Sequence, residues 1–476
     1  MRKTKIICTI GPSSESEENL RKLMLAGMNV ARMNFSHGSF EEHGAKIVKI
    51  KKLREELGLH TALLLDTKGP EIRTLDFEGG IVTLDEGQKF EIRFDDSIGS
   101  KNGCAITYKE LYKDVKSGDR ILIDDGLISL VIDAVSSDKI DCTVENAGTI
   151  KNKRGVNVPG VKVNLPALTE KDKGDILLGI EQGVDFLAVS FVRKAADIIA
   201  VREFLKQNGG QSMFVISKIE NQEGVDNIDE IIDVSDGIMV ARGDLGVEIP
   251  EEQIPVVQKN IIKKCNAVGK VVVTATQMLD SMIRNPRPTR AEVTDVANAV
   301  LDGTDAIMLS GETASGDYPI ESFETMKRIA VKAEAALDYE HIRQRSLSRK
   351  QKKATDAIGH CTCLAAADVD ADAILTTTHS GKTTFIVAKF RPEAPIVALT
   401  YSDIVARKLS ICWGAMPFVI KEASHQYEVF GRAIDMAKQN GVVKDGDCVV
   451  ITAGVPLAKG ANTNLMRIHT IGEDLV

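Results

Sequence analysis

A lysine and two acidic residues stand at the ends of two apolar segments of this sequence. Residues 213–217 lead into Lys218, and Glu220 follows two positions later. Side chains at i and i+2 share one face of a strand, so Lys218 and Glu220 should project together. A second apolar run, 237–241, leads to Asp244. Two carboxylates and one ammonium suit a divalent cation and a phosphate group. The alternative is a pair of buried salt bridges at loop ends.

The length and charge of the chain limit what it can be. With 476 residues it is too long for one core and should divide into about three domains. Its net charge of −8 argues against partners such as nucleic acid or a membrane surface. No signal peptide is expected at the first residues, and no apolar run approaches the ~20 residues of a spanning helix. We therefore expect a soluble, cytoplasmic protein.

The eight cysteines lie mostly inside apolar segments, which predicts reduced thiols in the core. Cys361 and Cys363 form the only close pair. On the helix expected there, one intervening residue directs the two thiols to different faces. A metal site at this pair is therefore not favoured.

Apolar strands with polar or glycine-rich ends alternate with amphipathic segments along the first three quarters of the chain. This alternation predicts a parallel sheet. Eight such units, with functional-looking residues at the carboxyl ends of the strands, are typical of an α/β fold, the (β/α)8 TIM barrel. Besides the two runs above, the strands are expected at 6–10, 30–34, 62–67, 185–191, 270–276 and 305–310.

Between the third and fourth strands the pattern changes to short β-rich runs separated by turns. We expect an inserted all-β domain there, placed at the barrel mouth to close over it as a lid. Thr169 is the expected N-cap of the helix that follows. The expected domain bounds are 1–72 and 167–340 for the barrel, 73–166 for the lid, and 341–476 for a C-terminal α/β regulatory domain.

The C-terminal part begins with a charged segment, 343–353. Its cations have no aromatic residues between them, so an exposed linker or helix face is expected rather than a nucleic-acid surface. Strands are then predicted at 373–376, 395–400 and 447–452. No additional phosphohistidine-type domain is expected after them.

Five motifs follow one another along the chain. They are Ile-Ser-Lys218-Ile-Glu220-Asn, Ala-Arg242-Gly-Asp244-Leu-Gly, Thr274-Ala-Thr276-Gln-Met-Leu, Asn285-Pro-Arg-Pro-Thr-Arg-Ala-Glu292 and Ser310-Gly-Glu-Thr-Ala. Together they resemble the motifs of the pyruvate kinase family, and the resemblance covers nearly the whole chain. It implies phosphoryl transfer from phosphoenolpyruvate to ADP, giving pyruvate and ATP in the final step of glycolysis. It also implies a homotetramer.

The motif residues fit this chemistry, because phosphoryl transfer depends mainly on clamped and neutralised oxygens. Glu220 and Asp244 are the expected ligands of Mg2+ or Mn2+. Lys218 would offset charge on the transferred group and on the enolate that remains. Arg32 is expected to contact the phosphoryl group, and Gly243 to let the backbone approach the substrate carboxylate.

The proton donor to the enolate is not identified by the sequence. Thr276 is placed to hydrogen-bond the substrate near the carbon that is protonated. Thr276 and Ser310, with an ordered water, are the candidates. Alternatively, the threonine only makes a hydrogen bond within its turn.

Four residues match the family's monovalent-cation ligands: Asn34, Ser36, Asp66 and Thr67. One formal negative charge with several neutral oxygens suits K+ better than Mg2+, and no other group of this cluster is expected to neutralise Asp66. Glu71 adds to the inference, since relatives that work without K+ carry a lysine at this position. The alternative is that Glu71 pairs with a lid arginine.

Two arginines are the expected nucleotide contacts. Arg73 matches the family's phosphate-binding arginine at the lid hinge. The family's nucleotide lysine aligns with Arg154, which keeps the charge but places it differently. Lys153 is the alternative.

The predicted strand at 373–376 runs into a loop and then a helix. Backbone amides and hydroxyls at a helix start can bind phosphate, and the string nearly fits a P-loop, with Thr376 in place of the first glycine. In the family this loop binds the phosphate of an allosteric effector, a sugar phosphate or a nucleotide. The expected contacts are Thr378, Ser380, Gly381, Lys382 and Thr383. A capped helix without a ligand is the alternative.

Two other functions compete with this interpretation. A Mg2+-dependent barrel lyase or aldolase would share the carboxylate pair, but it would not explain the lid, Arg73 or the residues that suit potassium. A catalytically silent sensor of phosphometabolites would need a broken primary site, whereas Lys218, Glu220, Asp244 and Thr276 are all present.

Overall fold

The computed structural model describes residues 2–347, 353–422, 425–455 and 462–475. The chain starts with three strands and two helices of a barrel. Each of the two helices begins at a capping serine and ends at a glycine with positive φ. These elements are β1 (Lys5–Thr9), α1 (Glu17–Ala26), β2 (Val30–Asn34), α2 (Phe40–Leu57) and β3 (Ala62–Asp66).

An inserted all-β domain follows, as predicted. Its strands are β4 (Ile72–Arg73), β5 (Ile81–Leu84), β6 (Lys89–Arg93), β7 (Gly103–Ala105), β8 (Arg120–Ile123), β9 (Ile128–Val135), β10 (Lys139–Val144), β11 (Gly148–Lys151) and β12 (Gly155–Asn157). Seven strands form one sheet in the order β4-β12-β8-β9-β10-β6-β7, and β5 pairs with β11. Alternate residues such as Ile140, Cys142 and Val144 point into the domain's own core. The first strand, β4, and the last, β12, are neighbours in the sheet.

The barrel then resumes with strands and helices in alternation. Its remaining elements are α3 (Glu170–Glu181), β13 (Phe186–Val189), α4 (Ala195–Gln207), β14 (Phe214–Ile219), α5 (Gln222–Asp226), α6 (Ile228–Val234), β15 (Gly237–Ala241), α7 (Arg242–Glu248), α8 (Ile254–Val268), β16 (Val271–Ala275), α9 (Arg290–Asp302), β17 (Ala306–Leu309), α10 (Gly311–Ala314), α11 (Pro319–Glu334) and α12 (Tyr339–Leu347). Thr169 caps α3 as predicted, in a reciprocal pair with Asp172.

The eight expected barrel strands are all present and close into a parallel barrel in the order β1-β17-β16-β15-β14-β13-β3-β2. Their side chains are almost entirely buried, because one face fills the barrel and the other packs under the helices. Phe186, Ile216 and Met308 belong to the interior cluster. The fold is therefore the predicted (β/α)8 barrel.

The C-terminal α/β domain contains α13 (Ala354–Asp368), β18 (Ala373–Thr377), α14 (Lys382–Ala388), β19 (Ile396–Thr400), α15 (Asp403–Leu409), β20 (Ala415–Val419), α16 (Gln426–Gln439), β21 (Cys448–Ala453) and β22 (Leu465–Thr470). Its sheet has the order β20-β19-β18-β21-β22, with β22 antiparallel. The three predicted strands, β18, β19 and β21, are confirmed. The two edge strands, β20 and β22, were not predicted. Both are only partly buried; β20 contains Pro417, and Arg467 and His469 interrupt the apolar residues of β22.

This domain packs against the amino-terminal ends of the barrel strands, opposite to Lys218. Arg391 donates to Asp305, which precedes β17, over 2.8 Å. Arg407 donates to Asp185, which precedes β13, also over 2.8 Å. These two contacts join the C-terminal domain to the underside of the barrel.

The cysteines are free, and Cys361 is exposed whereas Cys363 is buried, which confirms that they face different ways. Residues 343–347 of the charged segment end α12, and 348–352 lie outside the described residues. Among the helices of the described ranges, none has the length and apolar character needed to cross a membrane.

Candidate active site

Lys218 and Glu220 lie together at the end of β14, as their spacing predicts. The Lys218 ammonium is 2.9 Å from a carboxylate oxygen of Glu220 and 3.1 Å from one of Asp66. It also donates to the Ser190 hydroxyl over 2.7 Å. Burial alone would lower the pKa of Lys218, but the charges of Asp66 and Glu220 outweigh it and raise the pKa above its usual value. Lys218 is therefore a buried, permanently charged ammonium.

Asp66, at the end of β3, lies between two cations. Its second oxygen accepts from Arg32 Nε over 2.7 Å, and Arg32 also donates to the Thr9 hydroxyl over 2.7 Å. Burial would raise the pKa of Asp66, but Lys218 and Arg32 lower it below its usual range. The expectation that nothing else in this cluster neutralises Asp66 is therefore wrong. Arg32 and Lys218 reach Asp66 because β2, β3 and β14 belong to one barrel. The positions of these strands relative to one another could not be predicted from the sequence.

Glu220 and Asp244 carry negative charge that the described residues only partly balance. The second oxygen of Glu220 accepts the Phe191 amide over 2.6 Å. Burial raises the pKa of Glu220 above its usual value; the charge of Asp244 adds to this rise, and that of Lys218 opposes it. The Asp244 side chain is half-buried and makes no hydrogen bond or ion pair with any described residue. A divalent cation would relieve this repulsion, so the donor set fits such an ion.

The protein supplies few metal ligands of its own. Within the described part of the chain, no group of three or more His, Cys, Asp or Glu side chains could hold a metal ion. Mg2+ is usually bound in this way, through one or two carboxylates together with substrate oxygens and water.

Thr276 follows β16 in a left-handed backbone conformation, with φ of 67°, and Gln277 has φ of 53°. Such a pair is strained for residues with side chains. The Thr276 hydroxyl donates to the Ala275 carbonyl over 2.6 Å and accepts the Gly243 amide over 2.7 Å. Arg242 donates to the carbonyls of both Ala275 and Thr276. The structure thus places Thr276 beside Gly243. The hydrogen bond within the turn, which was the alternative interpretation of this threonine, is also present.

Ser310, at the end of β17, has a buried hydroxyl without a hydrogen-bond partner among the described residues. Its amide donates to Glu312 over 2.7 Å, and the other Glu312 oxygen accepts the Leu279 amide. A buried hydroxyl that lacks a partner requires a water or a ligand atom. No hydrogen bond joins Ser310 to Thr276.

The four expected monovalent-cation ligands lie at the ends of two neighbouring strands. Asn34 and Asp66 are register partners on β2 and β3. The Asn34 side-chain oxygen accepts the Ser36 amide over 3.1 Å. Thr67 follows Asp66 and accepts the Ser190 amide with its hydroxyl over 3.1 Å. The structure therefore brings their oxygens to one edge of the barrel mouth.

Ser190 is the residue that the sequence interpretation missed. It follows β13, and its hydroxyl accepts from Lys218 while donating to the Thr67 carbonyl over 2.7 Å. It is 3.3 Å from Asp66. Its position at the end of an expected barrel strand was the available signal.

A cavity of 370 Å³ is lined by residues of the barrel mouth and of the inserted domain. Arg73 and Arg154 line it together with Asp244 and Glu71. Glu71 pairs with Arg73 at 2.6 Å, which is the alternative contact considered for this glutamate.

Arg154 rather than Lys153 faces this cavity. Arg154 has a buried Nε without a partner among the described residues, and its nearest carboxylate oxygen, on Asp124, is 3.5 Å away. The Lys153 side chain is 70% exposed and lies 3.8 Å from Asp76. A guanidinium with an unused donor suits an anionic ligand.

The loop before α14 has several of its hydroxyls engaged within the protein. Thr378 accepts the Gly381 amide over 3.0 Å, and Gly381 has φ of 87°. The Thr383 hydroxyl bonds that of Thr463 over 2.8 Å. Ser380 and Lys382 are exposed. The structure thus groups the five expected residues, with two of the three hydroxyls already bonded.

The fold and this site define a barrel enzyme that acts on an anionic substrate with help from a divalent cation. Comparisons with known proteins identify it further. Residues 1–323 match the family model "Pyruvate kinase, barrel domain", and residues 356–469 match "Pyruvate kinase, alpha/beta domain".

Individual relatives match nearly the whole of this chain. The chain is 54% identical to the pyruvate kinase of Geobacillus stearothermophilus, over 99% of this chain and 81% of the relative. It is 51% identical to that of Clostridium acetobutylicum, over 99% and 100%. A crystal structure of a pyruvate kinase from Cryptosporidium parvum superposes with a TM-score of 0.95 at 43% identity, covering 98% of this chain and 96% of that one.

The chain therefore belongs to the pyruvate kinase family. Its activity is phosphoryl transfer from phosphoenolpyruvate to ADP, which yields pyruvate and ATP in the final step of glycolysis. Enzymes of this family need a divalent metal ion and potassium. The lyase and sensor alternatives are thereby set aside.

Proposed function

We propose that Lys218 is the central group of the phosphoryl transfer. Its ammonium lies between Asp66 and Glu220, within 3.1 Å of both. Such a fixed positive charge stabilises negative charge as it develops on the phosphoryl oxygens and the enolate. Arg32 contacts the phosphoryl group from β2, where Asp66 and Thr9 hold its guanidinium. The observation that carries this proposal is the buried Lys218 ammonium near Asp244, a carboxylate without a partner among the described residues.

Glu220 and Asp244 are the proposed ligands of Mg2+ or Mn2+. An ion held there would supply positive charge to the phosphoryl and carboxylate oxygens of the substrate. The Gly243 amide is the proposed backbone contact to the substrate carboxylate. In this structure it donates a hydrogen bond to the Thr276 hydroxyl.

Protonation of the enolate is assigned to the other side of the mouth. Thr276 and Ser310, with an ordered water, are the proposed route of the proton. The buried Ser310 hydroxyl, which has no partner in the described ranges, supports a water there. Thr276 is held in its strained conformation by Arg242, so its hydroxyl is positioned before substrate binds.

The potassium ion is proposed to bind Asn34, Ser36, Asp66 and Thr67. Since Arg32 and Lys218 already balance Asp66, the ion would rely on neutral oxygens and on the substrate phosphate. The nucleotide is proposed to bind the 370 Å³ cavity. Arg73 and Arg154 would contact its phosphates there, and the inserted domain would close over it as a lid.

Regulation is proposed to act through the C-terminal domain. A phosphorylated effector would contact Thr378, Ser380, Gly381, Lys382 and Thr383. The two exposed members, Ser380 and Lys382, support a phosphate there.

We further propose a cytoplasmic homotetramer, on the basis of the family and the net charge of −8. The proposed domain bounds, 1–72 with 167–340, 73–166, and 341–476, follow the grouping of strands into the three main sheets.

Manganese binding tests the metal site. We expect Glu220→Gln and Asp244→Asn each to weaken Mn2+ binding at least about tenfold, measured by water proton relaxation in the presence of phosphoenolpyruvate. Phosphoryl transfer, measured by coupled pyruvate formation, should fall in parallel. Asp226→Asn is the matched control, because Asp226 lines the same cavity but is exposed. Normal Mn2+ affinity in Asp244→Asn would overturn the assignment.

A further inference from the structure

A second cavity lies on the opposite side of the barrel from the active site. Its volume is 560 Å³, and its walls come from the barrel underside and from the C-terminal domain. The barrel contributes residues of α4 and of the segments that precede β14, β15 and β16. The C-terminal domain contributes residues of α14 and α15 and of the loop before α14. A ligand in this cavity would touch two domains at once.

The walls of this interdomain cavity are strongly basic. Its two carboxylates are already paired, Asp236 with Arg202 at 3.0 Å and Asp356 with Lys389 at 3.4 Å. The cationic side chains that line it are Arg202, Lys270, Lys353, Lys382, Lys389 and Lys408. Lys270 Nζ donates to the Ser235 carbonyl, and its ammonium has further N–H groups for a ligand. Cations that outnumber carboxylates in this way favour an anionic ligand.

Lys408 is the cation that most clearly needs a partner. Its side chain is half-buried and makes no hydrogen bond or ion pair with any residue of the described ranges. Burial lowers the pKa of Lys408, and the negative charges of Asp236 and Asp185 oppose this lowering only in part. Lys382 on the same cavity wall is exposed and likewise has no bonded partner in the described part of the chain. The partly buried charge of Lys408 is costly without a partner, so a bound anion would stabilise it.

The rest of the wall indicates the kind of anion. Phe214 and Phe385 stack at 5.9 Å and form an apolar side. Ser212 and Ser380 add hydroxyl groups. The volume exceeds that of a bare inorganic ion and falls in the usual range of small-molecule pockets. The cavity thus combines phosphate-binding cations with a surface for an organic body.

We propose that this interdomain cavity binds a phosphorylated small molecule, with its phosphate at Lys408, Lys382 and Lys270 and its organic part against Phe385. The bound molecule ties the C-terminal domain to the barrel underside. The site shares Ser380 and Lys382 with the proposed effector loop, but it also uses barrel residues, and it does not depend on the roles proposed at the active site.

Lysine footprinting on the intact protein tests the site without relying on activity. Phenyl phosphate is the probe, and acylation of each lysine is followed by mass spectrometry. We expect phenyl phosphate to slow acylation of Lys270, Lys382 and Lys408 in a saturable manner below about 10 mM. Lys263, an exposed lysine of α8 with no bonded partner among the described residues, should react at an unchanged rate.

Two variants make the test specific to this cavity. Lys270→Met should raise the phenyl phosphate concentration that half-protects Lys408 about tenfold, because one charged hydrogen bond to the phosphate is lost. Lys263→Met should leave that concentration unchanged. Acylation of Lys408 that phenyl phosphate does not slow would overturn the proposal. Protection of Lys382 alone would also overturn it, since the phosphate would then sit on the loop.

Discussion

Both ends of the barrel hold buried aspartates, but the two sets have different partners. At the amino-terminal ends of the strands, Asp185 and Asp305 each use one oxygen for a backbone amide of the neighbouring strand, over 3.0 and 2.9 Å. The other oxygen accepts from Arg407 or Arg391. Both oxygens of each carboxylate therefore have partners within the protein. These hydrogen bonds link neighbouring barrel strands and attach the C-terminal domain to the barrel.

At the carboxyl-terminal ends the charges balance one another only in part. The charge of Asp66 is balanced by Arg32 and Lys218. In contrast, burial raises the pKa of Glu220. The Asp244 side chain has no partner among the described residues. Buried aspartates therefore do not by themselves indicate function. The difference lies in whether the protein alone satisfies them, since unsatisfied groups imply a ligand.

The largest expected effect is on the catalytic end. Lys218→Met should raise the barrier to phosphoryl transfer by roughly 3–4 kcal/mol, since a charge needed mainly in the transition state is lost. The thermal unfolding temperature should change little compared with the loss in kcat from the coupled assay. Lys264→Met, at a surface pair with Asp229, is the control. Proton exchange at the methyl group of pyruvate should suffer less than transfer, and a kcat within tenfold of wild type would contradict this role.

The opposite end should respond in stability rather than in rate. Arg391→Met leaves Asp305, a carboxylate 6% exposed, without its cation. Breaking such a buried pair costs about 3 kcal/mol or more. We expect a lower thermal unfolding temperature by calorimetry, with kcat/KM of the folded enzyme retained. Lys332→Met, at an exposed position of α11, is the control. Unchanged stability would show that the two ends differ less than their contacts indicate.

Potassium removal should produce the next largest effect. Replacing K+ by tetramethylammonium at equal ionic strength should collapse the rate, because neutral oxygens such as those of Asn34 and Thr67 cannot replace the missing charge. Glu71→Lys should restore part of the rate by supplying an ammonium, although it also removes the partner of Arg73. Glu78→Lys, exposed in the inserted domain, controls for net charge. Full wild-type activity without any small monovalent cation would refute the assignment.

The smallest expected effect concerns the effector loop. Replacing Ser380 and Thr383 together by alanine should abolish activation by AMP, ribose 5-phosphate, glucose 6-phosphate or fructose 1,6-bisphosphate, a loss of roughly 1–3 kcal/mol of coupling. The readout is the ratio of rates with and without effector at low phosphoenolpyruvate. Ser402→Ala, at the start of α15, is matched because its hydroxyl makes no capping bond. Activation that persists unchanged would place the effector elsewhere.

Local periodicity was enough to predict part of the site. The two-residue repeat of a strand places Lys218 beside Glu220, and alternation along the chain predicts the barrel and the inserted domain. The neighbours of Asp66 could not be predicted in this way, since Arg32 and Lys218 come from separate strands whose register only the closed barrel sets. Ser190 was missed for the same reason.

The edge strands of the C-terminal sheet and the contacts between domains could not be predicted from the sequence either. Strands β20 and β22 are only partly buried. Pro417 within β20 argues against a strand there, and polar residues interrupt the apolar pattern of β22. Asp185 and Asp305 resemble ordinary strand-start residues until the C-terminal domain brings Arg407 and Arg391 to them. Long-range pairs of this kind depend on the packed fold and leave no local signal.

The inserted domain leaves and re-enters the barrel through two adjacent strands. Ile72 on β4 is the register partner of Val156 on β12. A short turn joining these neighbours could replace the whole insertion without stretching the barrel. The barrel and the insertion can therefore be gained, lost or exchanged as separate modules. Because Arg73 and Arg154 lie on or beside these joining strands, the same exchange would remove the proposed nucleotide contacts while leaving Lys218 and its neighbours in place.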